Sequence, residues 1–180
     1  MERIQKGKEE FDRISIAVCD DDEEFIEQLE SAVEQTLYAA GGTADIYKFK
    51  DGASLLSCIK DVELIFLDIE MPGINGFQAA REIMEKDIDV EIVFVTGHTQ
   101  FVFDSFEYRP FDFVAKENLG ERLDIVLNRY LAEYKKRKET IIGWKEELGE
   151  RKAEYLLLND ILYMESQGHK LLLRRGSVLV

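Results

Sequence analysis

Basic residues, cysteine and long apolar runs are all scarce in this 180-residue chain, and each scarcity excludes something. Lys and Arg number 23 against 37 Asp and Glu, a net charge of −14. That balance excludes a general basic surface for coating nucleic acid. The two cysteines, Cys19 and Cys58, stand in apolar or helical surroundings. They read as buried free thiols rather than as a disulfide or a metal pair. No apolar stretch approaches the roughly 20 residues that a membrane span requires, and the opening MERIQKGKEEFDR lacks a signal-like apolar region. A cytoplasmic location and no membrane partner are therefore expected.

What is present, 46% hydrophobic and 33% charged residues, describes a globular chain with material for one ordinary domain and something smaller. The acid is unevenly spread. Residues 151–180 carry five Lys/Arg against three Asp/Glu, so the whole acidic excess lies before them. This asymmetry suggests two units with different partners.

The stretch 64–76, LIFLDIEMPGING, organises the reading. A run of apolar residues ends in one carboxylate, Asp68, and a turn at 71–73 precedes an amphipathic segment. Such a run reads as a strand buried on both faces, and the carboxyl end of such a strand is where open α/β sheets place their chemistry. In chain order, residues 14–19 (ISIAVC) form a first strand that runs into Asp20, Asp21 and Asp22. Apolar residues Phe25, Ile26, Leu29, Ala32, Val33 and Leu37 then recur at helical spacing until Gly41-Gly42. Residues 44–49 make a second strand, with Ile46 inward and Ala44 a further candidate. Asp51 caps a helix through Leu55, Leu56 and Ile59. Residues 63–68 are the third strand, and a helix over 75–86 shows Phe77, Ala80, Ile83 and Met84 on one face. A fourth strand covers 91–96, a Phe-rich helix 99–107, a fifth strand 111–115 and a last helix 119–138. Strands alternating with helices imply an α/β fold, (βα) five times over, with a doubly wound parallel sheet. After residue 138 the chain turns β-rich, with short strands expected at 140–144, 154–158 and 171–174.

If the strands are parallel, one edge of the sheet collects Asp20, Asp21, Asp22, Asp68, Thr96 and Lys116. Crowded carboxylates repel one another, and a divalent cation of the Mg²⁺ type relieves that repulsion. An ammonium and a hydroxyl aimed at the same place complete a receptor for a phosphoryl group, with Asp68 as nucleophile. Singly, acids at strand ends are ordinary turn residues, and a lone Thr or Lys is ordinary surface. Jointly, on strands one, three, four and five, they argue for a site.

Residues 14–138 resemble a response-regulator receiver domain, the phosphoacceptor module of two-component signalling. The resemblance rests on VCDDD, on D-x-x-M-P-x-x-x-G from Asp68 to Gly76, on Val95-Thr96-Gly97 and on Phe113-x-x-Lys116. It implies a flavodoxin-like strand order 2-1-3-4-5. It implies Asp68 as phosphorylated residue, Asp21 as direct Mg²⁺ ligand, Asp20 as an acid holding the metal through water, and the Glu70 backbone carbonyl as a further ligand. Thr96 corresponds to the switch hydroxyl, Phe113 to the switch aromatic and Lys116 to the phosphoryl-pairing lysine. A sensor histidine kinase is the implied phosphodonor, and a phosphorylation-dependent homodimer the implied response, with Phe101 or Phe103 contributing to its face. Family members usually carry Pro after the lysine, where this chain has Glu117. A cis bond without proline costs about 3 kcal/mol or more, so a trans peptide and a reshaped loop are expected. His98 and Glu70, each two residues past a site residue, fall on the rim where such domains tune phosphate lifetime.

The segment 154–175, EYLLLNDILYMESQGHKLLLRR, resembles the opening strands of a LytTR-type DNA-binding domain. The resemblance places His169 at a base edge and Lys170 and Arg174 near phosphates. Its plain alternative is a β-hairpin with a polar loop. The organisation expected is thus a polar extension over 1–13, a receiver over 14–138 and a partial output domain over 139–180. About 40 residues cannot close an all-β core, so DNA binding is expected only through a complete output domain. The expectation is therefore that the chain is a fragment or a truncated gene product, or that the tail has a different role.

Three functions compete. The leading one is a response regulator modified on Asp68, not an enzyme beyond its own phosphorylation and dephosphorylation. A Mg²⁺-dependent aspartyl phosphatase would place D-x-D on its first strand, whereas here the acids are contiguous and the nucleophile lies on strand three. A degenerate receiver that only binds partners has Glu117 as its main support.

Overall fold

The computed structural model describes residues 13–137, 140–147, 150–157, 161–167 and 170–175. The polar extension expected over 1–13 thus lies outside the described residues except for Arg13. The described residues fall into two compact units, one comprising those up to Asn128 and the other those from Arg129 on.

In the first unit, β1 (Ile14–Cys19), β2 (Ala44–Phe49), β3 (Leu64–Leu67), β4 (Glu91–Thr96) and β5 (Asp112–Ala115) form one parallel sheet in the order β2-β1-β3-β4-β5. The α/β architecture and strand order expected from the sequence are those observed. The central strand β3 is buried along its whole length, as an unbroken apolar run demands. Burying each such side chain contributes about 1.5–3 kcal/mol. β2 lies at an edge, and Ala44 and Ile46 are only half-buried there.

The strands alternate their side chains between two cores. Ala17, Cys19, Ile65, Leu67, Ile92 and Phe94 pack against α2 (Gly52–Cys58) and α3 (Gly76–Glu85) through Leu55, Ala79, Ala80 and Ile83. Ile16, Val18, Phe66, Val93 and Val95 are buried on the other side of the strands. Two longer helices, α1 (Glu23–Ala39) and α5 (Leu119–Arg137), meet where the Thr36 hydroxyl donates to the Asp124 carboxylate at 2.6 Å.

Helices α1, α2 and α3 each begin at a side-chain oxygen that satisfies free amides of the first turn. Asp22 accepts from the N–H groups of Glu24 and Phe25, Asp51 from Ser54, and Asn75 from Gln78 in a reciprocal capping box. Three expectations are corrected. Cys58, at the end of α2, is exposed, because its helix is only seven residues long and buries just Gly52 and Leu55. Met84 is 45% exposed, and Ala79 takes its expected place on the buried face of α3. The helix expected over 99–107 is broken: a 3₁₀ turn (Thr99–Phe101), a single α turn, α4 (Val102–Ser105), and a second 3₁₀ turn (Phe106–Tyr108). β-branched and aromatic residues favour helix weakly. Ser105 also bonds its hydroxyl back to the Val102 carbonyl at 2.6 Å, and Arg109 ends the segment in the left-handed conformation.

In the second unit, β6 (Thr140–Glu147) pairs antiparallel with β7 (Glu150–Leu157), and β8 (Ile161–Gln167) with β9 (Lys170–Arg175). Strands stand where the sequence places them. β8 is an additional strand, its alternation hidden in a segment read there only as a motif. Leu158 and His169 lie outside the described residues.

Candidate functional site

Register is what assembles the site. Cys19 of β1 pairs with Leu67 of β3, so the residues that follow, Asp20 and Asp68, emerge side by side at the carboxyl edge. The Asp68 N–H donates to the Cys19 carbonyl at 2.9 Å, which carries the ladder one residue past the strand. β5 pairs Ala115 with Thr96, and Lys116 follows in a 3₁₀ turn (Lys116–Asn118). The edge thus gathers acids from β1 and β3, a hydroxyl from β4 and an ammonium from beyond β5.

Asp20 is 2% exposed and Asp68 5%, while Asp21 is open to solvent. One carboxylate oxygen from each lies within 4.8 Å of the others. The Lys116 ammonium reaches two of them, 2.6 Å from Asp20 Oδ2 and 3.3 Å from Asp68 Oδ2. The turn in which Glu117 stands leaves the lysine close to both acids, and the described residues contain no cis peptide bond. Asp20 also accepts from the Asp22 N–H at 2.9 Å, and Asp68 Oδ1 from the Ile69 N–H at 2.8 Å. Burial holds the Asp20 carboxyl above the usual range, against the opposing pull of Lys116 and the Asp22 amide. Burial works to lower Lys116, but Asp20 and Asp68 outweigh it and its pKa is raised. The ammonium therefore stays charged, one cation among three carboxylates.

Thr96 is fully buried, and its hydroxyl oxygen accepts from the His98 N–H at 3.3 Å. Phe113 is half-buried and packs against the core cluster that includes Phe94 and Tyr108. Glu70, expected to offer its backbone carbonyl, uses its side chain otherwise: Oε2 meets His98 Nε2 across the rim. Beside them opens a cleft of about 490 Å³, reached by Asp21 and Glu70 and walled by Met71, Phe77 and Phe101. Asp20, Asp21, Asp68 and Lys116 are brought together as the sequence suggests. Lys170 and Arg174 lie on β9, in the other unit.

Two site features were not legible in the sequence. One is the Glu70–His98 contact, whose partners are 28 positions apart on different loops. The other is Phe25, which reads as a plain core residue of α1. Its ring lies under the Lys116 ammonium, Nζ 4.5 Å from the centroid. The available signal was position, since the first inward residue of a helix that starts at the acidic loop must face that loop.

The family model described as response regulator receiver domain matches residues 16–128. The chain is 26% identical over 162 residues to the transcriptional regulatory protein NatR of Bacillus subtilis, covering 86% of this chain and 65% of that protein. It is 26% identical over 175 residues to accessory gene regulator protein A of Staphylococcus epidermidis, covering 88% of this chain and 72% of the relative. Among solved structures, the response regulatory domain of protein mrkE from Klebsiella pneumoniae superposes with a TM-score of 0.61 at 22% identity. It covers 68% of this chain and 98% of that one. At that identity the likeness concerns the fold.

Proposed function

The chain belongs to the response regulator receiver domain family, and from that premise we propose that Asp68 is its phosphoacceptor. The observation that carries this reading is the convergence of Asp20, Asp21, Asp68 and Lys116 on one sheet edge. In the transfer, a carboxylate oxygen of Asp68 attacks the phosphorus of a phosphohistidine on a sensor histidine kinase. The P–O bond forms as the P–N bond breaks, and the histidine ring leaves with the electron pair and takes a proton. Lys116 pairs with the phosphoryl oxygens, and the Thr96 hydroxyl donates to them once the group is in place, with Phe113 following it inward.

The donor set fits Mg²⁺: hard carboxylate oxygens within 4.8 Å, one of them on the exposed Asp21, which leaves room for water ligands. Asp20, Asp21, Asp68 and the Glu70 carbonyl would hold the ion, which supplies positive charge to the transferring phosphoryl oxygens. Asp68 is modified rather than a turnover nucleophile. Intact mass after incubation with Mg²⁺ and acetyl phosphate tests this. A gain of one phosphoryl group on the wild type, absent from Asp68→Asn, supports the acceptor. Continuous donor hydrolysis without an adduct supports the phosphatase, and no reaction supports a binding module.

The tail is proposed to belong to a LytTR-type output unit that binds DNA when complete. The match to accessory gene regulator protein A is too long to be confined to residues 1–138, which supports counting the tail with the regulator. A mobility shift by the regulator carrying the tail should weaken, with a shallower salt slope, in Lys170→Ala and Arg174→Ala. The chain spans 65% of the length of NatR. No helix among the described residues is long and apolar enough to cross a membrane.

A further inference from the structure

Lys116 has three neighbours that explain where its ammonium sits, and only two are acids. The third is Phe25, in the first turn of α1, 9% exposed, with the ammonium 4.5 Å from its ring centroid. We infer that Phe25 is a positioning residue for Lys116, its ring face holding the ammonium over the acid pocket by a cation–π contact.

The contacts close into a ring. Asp20 Oδ1 accepts from the Asp22 N–H at 2.9 Å, Asp22 Oδ1 accepts from the Phe25 N–H at 3.2 Å, and the Phe25 ring lies under Lys116. Lys116 returns to Asp20 Oδ2 at 2.6 Å. The helix cap therefore sets the ring, and the ring and the acid together set the cation. A lysine has a flexible four-carbon stem and three rotatable donors, so geometry must come from its surroundings. An aromatic face attracts the ammonium without competing for the carboxylates and without offering it a proton acceptor. It also covers one side of the ammonium, whose side chain is 24% exposed, and keeps water from that side. The residue after the lysine is Glu117, in a 3₁₀ turn, so no proline ring follows it in the chain, and the ring beneath the ammonium is one from α1.

This inference rests on the phosphoacceptor reading, and its test separates the two. The full chain is prepared as wild type, Phe25→Leu and Phe25→Tyr, and with mono- to pentafluorinated phenylalanine at position 25. Each is phosphorylated with Mg²⁺ and acetyl phosphate, the rate being followed by intact mass. Leucine, and fluorination step by step, should slow phosphorylation by roughly three- to tenfold, and tyrosine should restore a rate within about twofold of wild type. In NMR spectra the Lys116 side-chain protons should lose their ring-current shift in Phe25→Leu alone. A wild-type rate for both the leucine and the pentafluorinated proteins overturns the inference. So does a slow leucine variant beside a pentafluorinated protein at wild-type rate, which would assign the effect to packing. Should leucine unfold the helix start, as a thermal melt would show, the isosteric fluorinated series still decides. Failure of the wild type itself to acquire a phosphoryl group would instead refute the acceptor reading.

Discussion

At Gly76 the loop after β3 and the start of α3 touch with no room between them. A Cβ there would overlap the Asp68 carbonyl oxygen and stand 2.9 Å from the Asp68 carbonyl carbon and the Ile69 Cα. The Gly76 N–H in turn donates to the Ile69 carbonyl at 2.9 Å. The obstacle is backbone, which cannot swing aside as a side chain can. Gly76→Ala should therefore cost about 1–3 kcal/mol, read from urea melts, and slow phosphorylation by displacing Asp68. The cysteines part company at the same scale. Cys19 is 1% exposed, its thiol faces the Met71 sulfur at 3.6 Å, and burial, reinforced by Asp51, Asp20 and Asp68, pushes it up to about 12. It stays protonated and shielded at pH 8, whereas Cys58 is exposed. Iodoacetamide should add once to the native protein, at Cys58, and twice only after denaturation.

Among the elements, the broken segment between β4 and β5 stands apart. It holds few helical hydrogen bonds, and aromatic side chains fasten it instead. Phe101 packs edge-on against Phe77 at 5.9 Å, and Tyr108 stacks on Phe77 at 5.0 Å while its hydroxyl accepts from Arg81 at 3.1 Å. Phe103 and Phe106 point the other way, 81% and 63% exposed, and meet each other edge-on at 6.3 Å. Of the two candidates raised by the sequence for a homodimer face, Phe103 is therefore the surface residue and Phe101 the anchor. Phe103→Ala should change stability by less than about 0.5 kcal/mol and yet reduce phosphorylation-dependent association in analytical ultracentrifugation. Association undiminished in Phe103→Ala and Phe106→Ala would remove this face from consideration. By contrast α3 is held by its capping box, and Asn75→Ala should cost about 1 kcal/mol.

For the molecule as a whole, three carboxylates at one edge are a store of repulsion that a single lysine does not cancel. A cation bound there in the folded state alone stabilises the fold by linkage. Mg²⁺ at about ten times its dissociation constant should raise the unfolding free energy by about 1.4 kcal/mol, and EDTA should reverse it. Asp21→Asn should abolish most of that gain while leaving the metal-free protein no less stable, since it removes a like charge from the cluster. A thermal midpoint indifferent to Mg²⁺ would count against a metal at this edge.

The sequence by itself determined the α/β alternation, most element ends and the identity of the clustered acids. Those features rest on local physics: apolar runs, helical periodicity, and side chains such as Asp22, Asp51 and Asn75 that cap the helix they precede. Gly76 stood in the motif, but the reason for it, contact with the Asp68 backbone, required two loops folded together. The fragmentation of 99–108 was hidden for a related reason. Its aromatic spacing suits a helix, while the conformation is set by where Phe77 and Arg81 of α3 wait for Phe101 and Tyr108. Only the tertiary structure turned Phe25 from a core residue into the floor beneath Lys116, and joined Glu70 to His98. Periodicity encodes which side of a helix is buried, but not what lies against it, because that depends on the register of strands far apart in the chain.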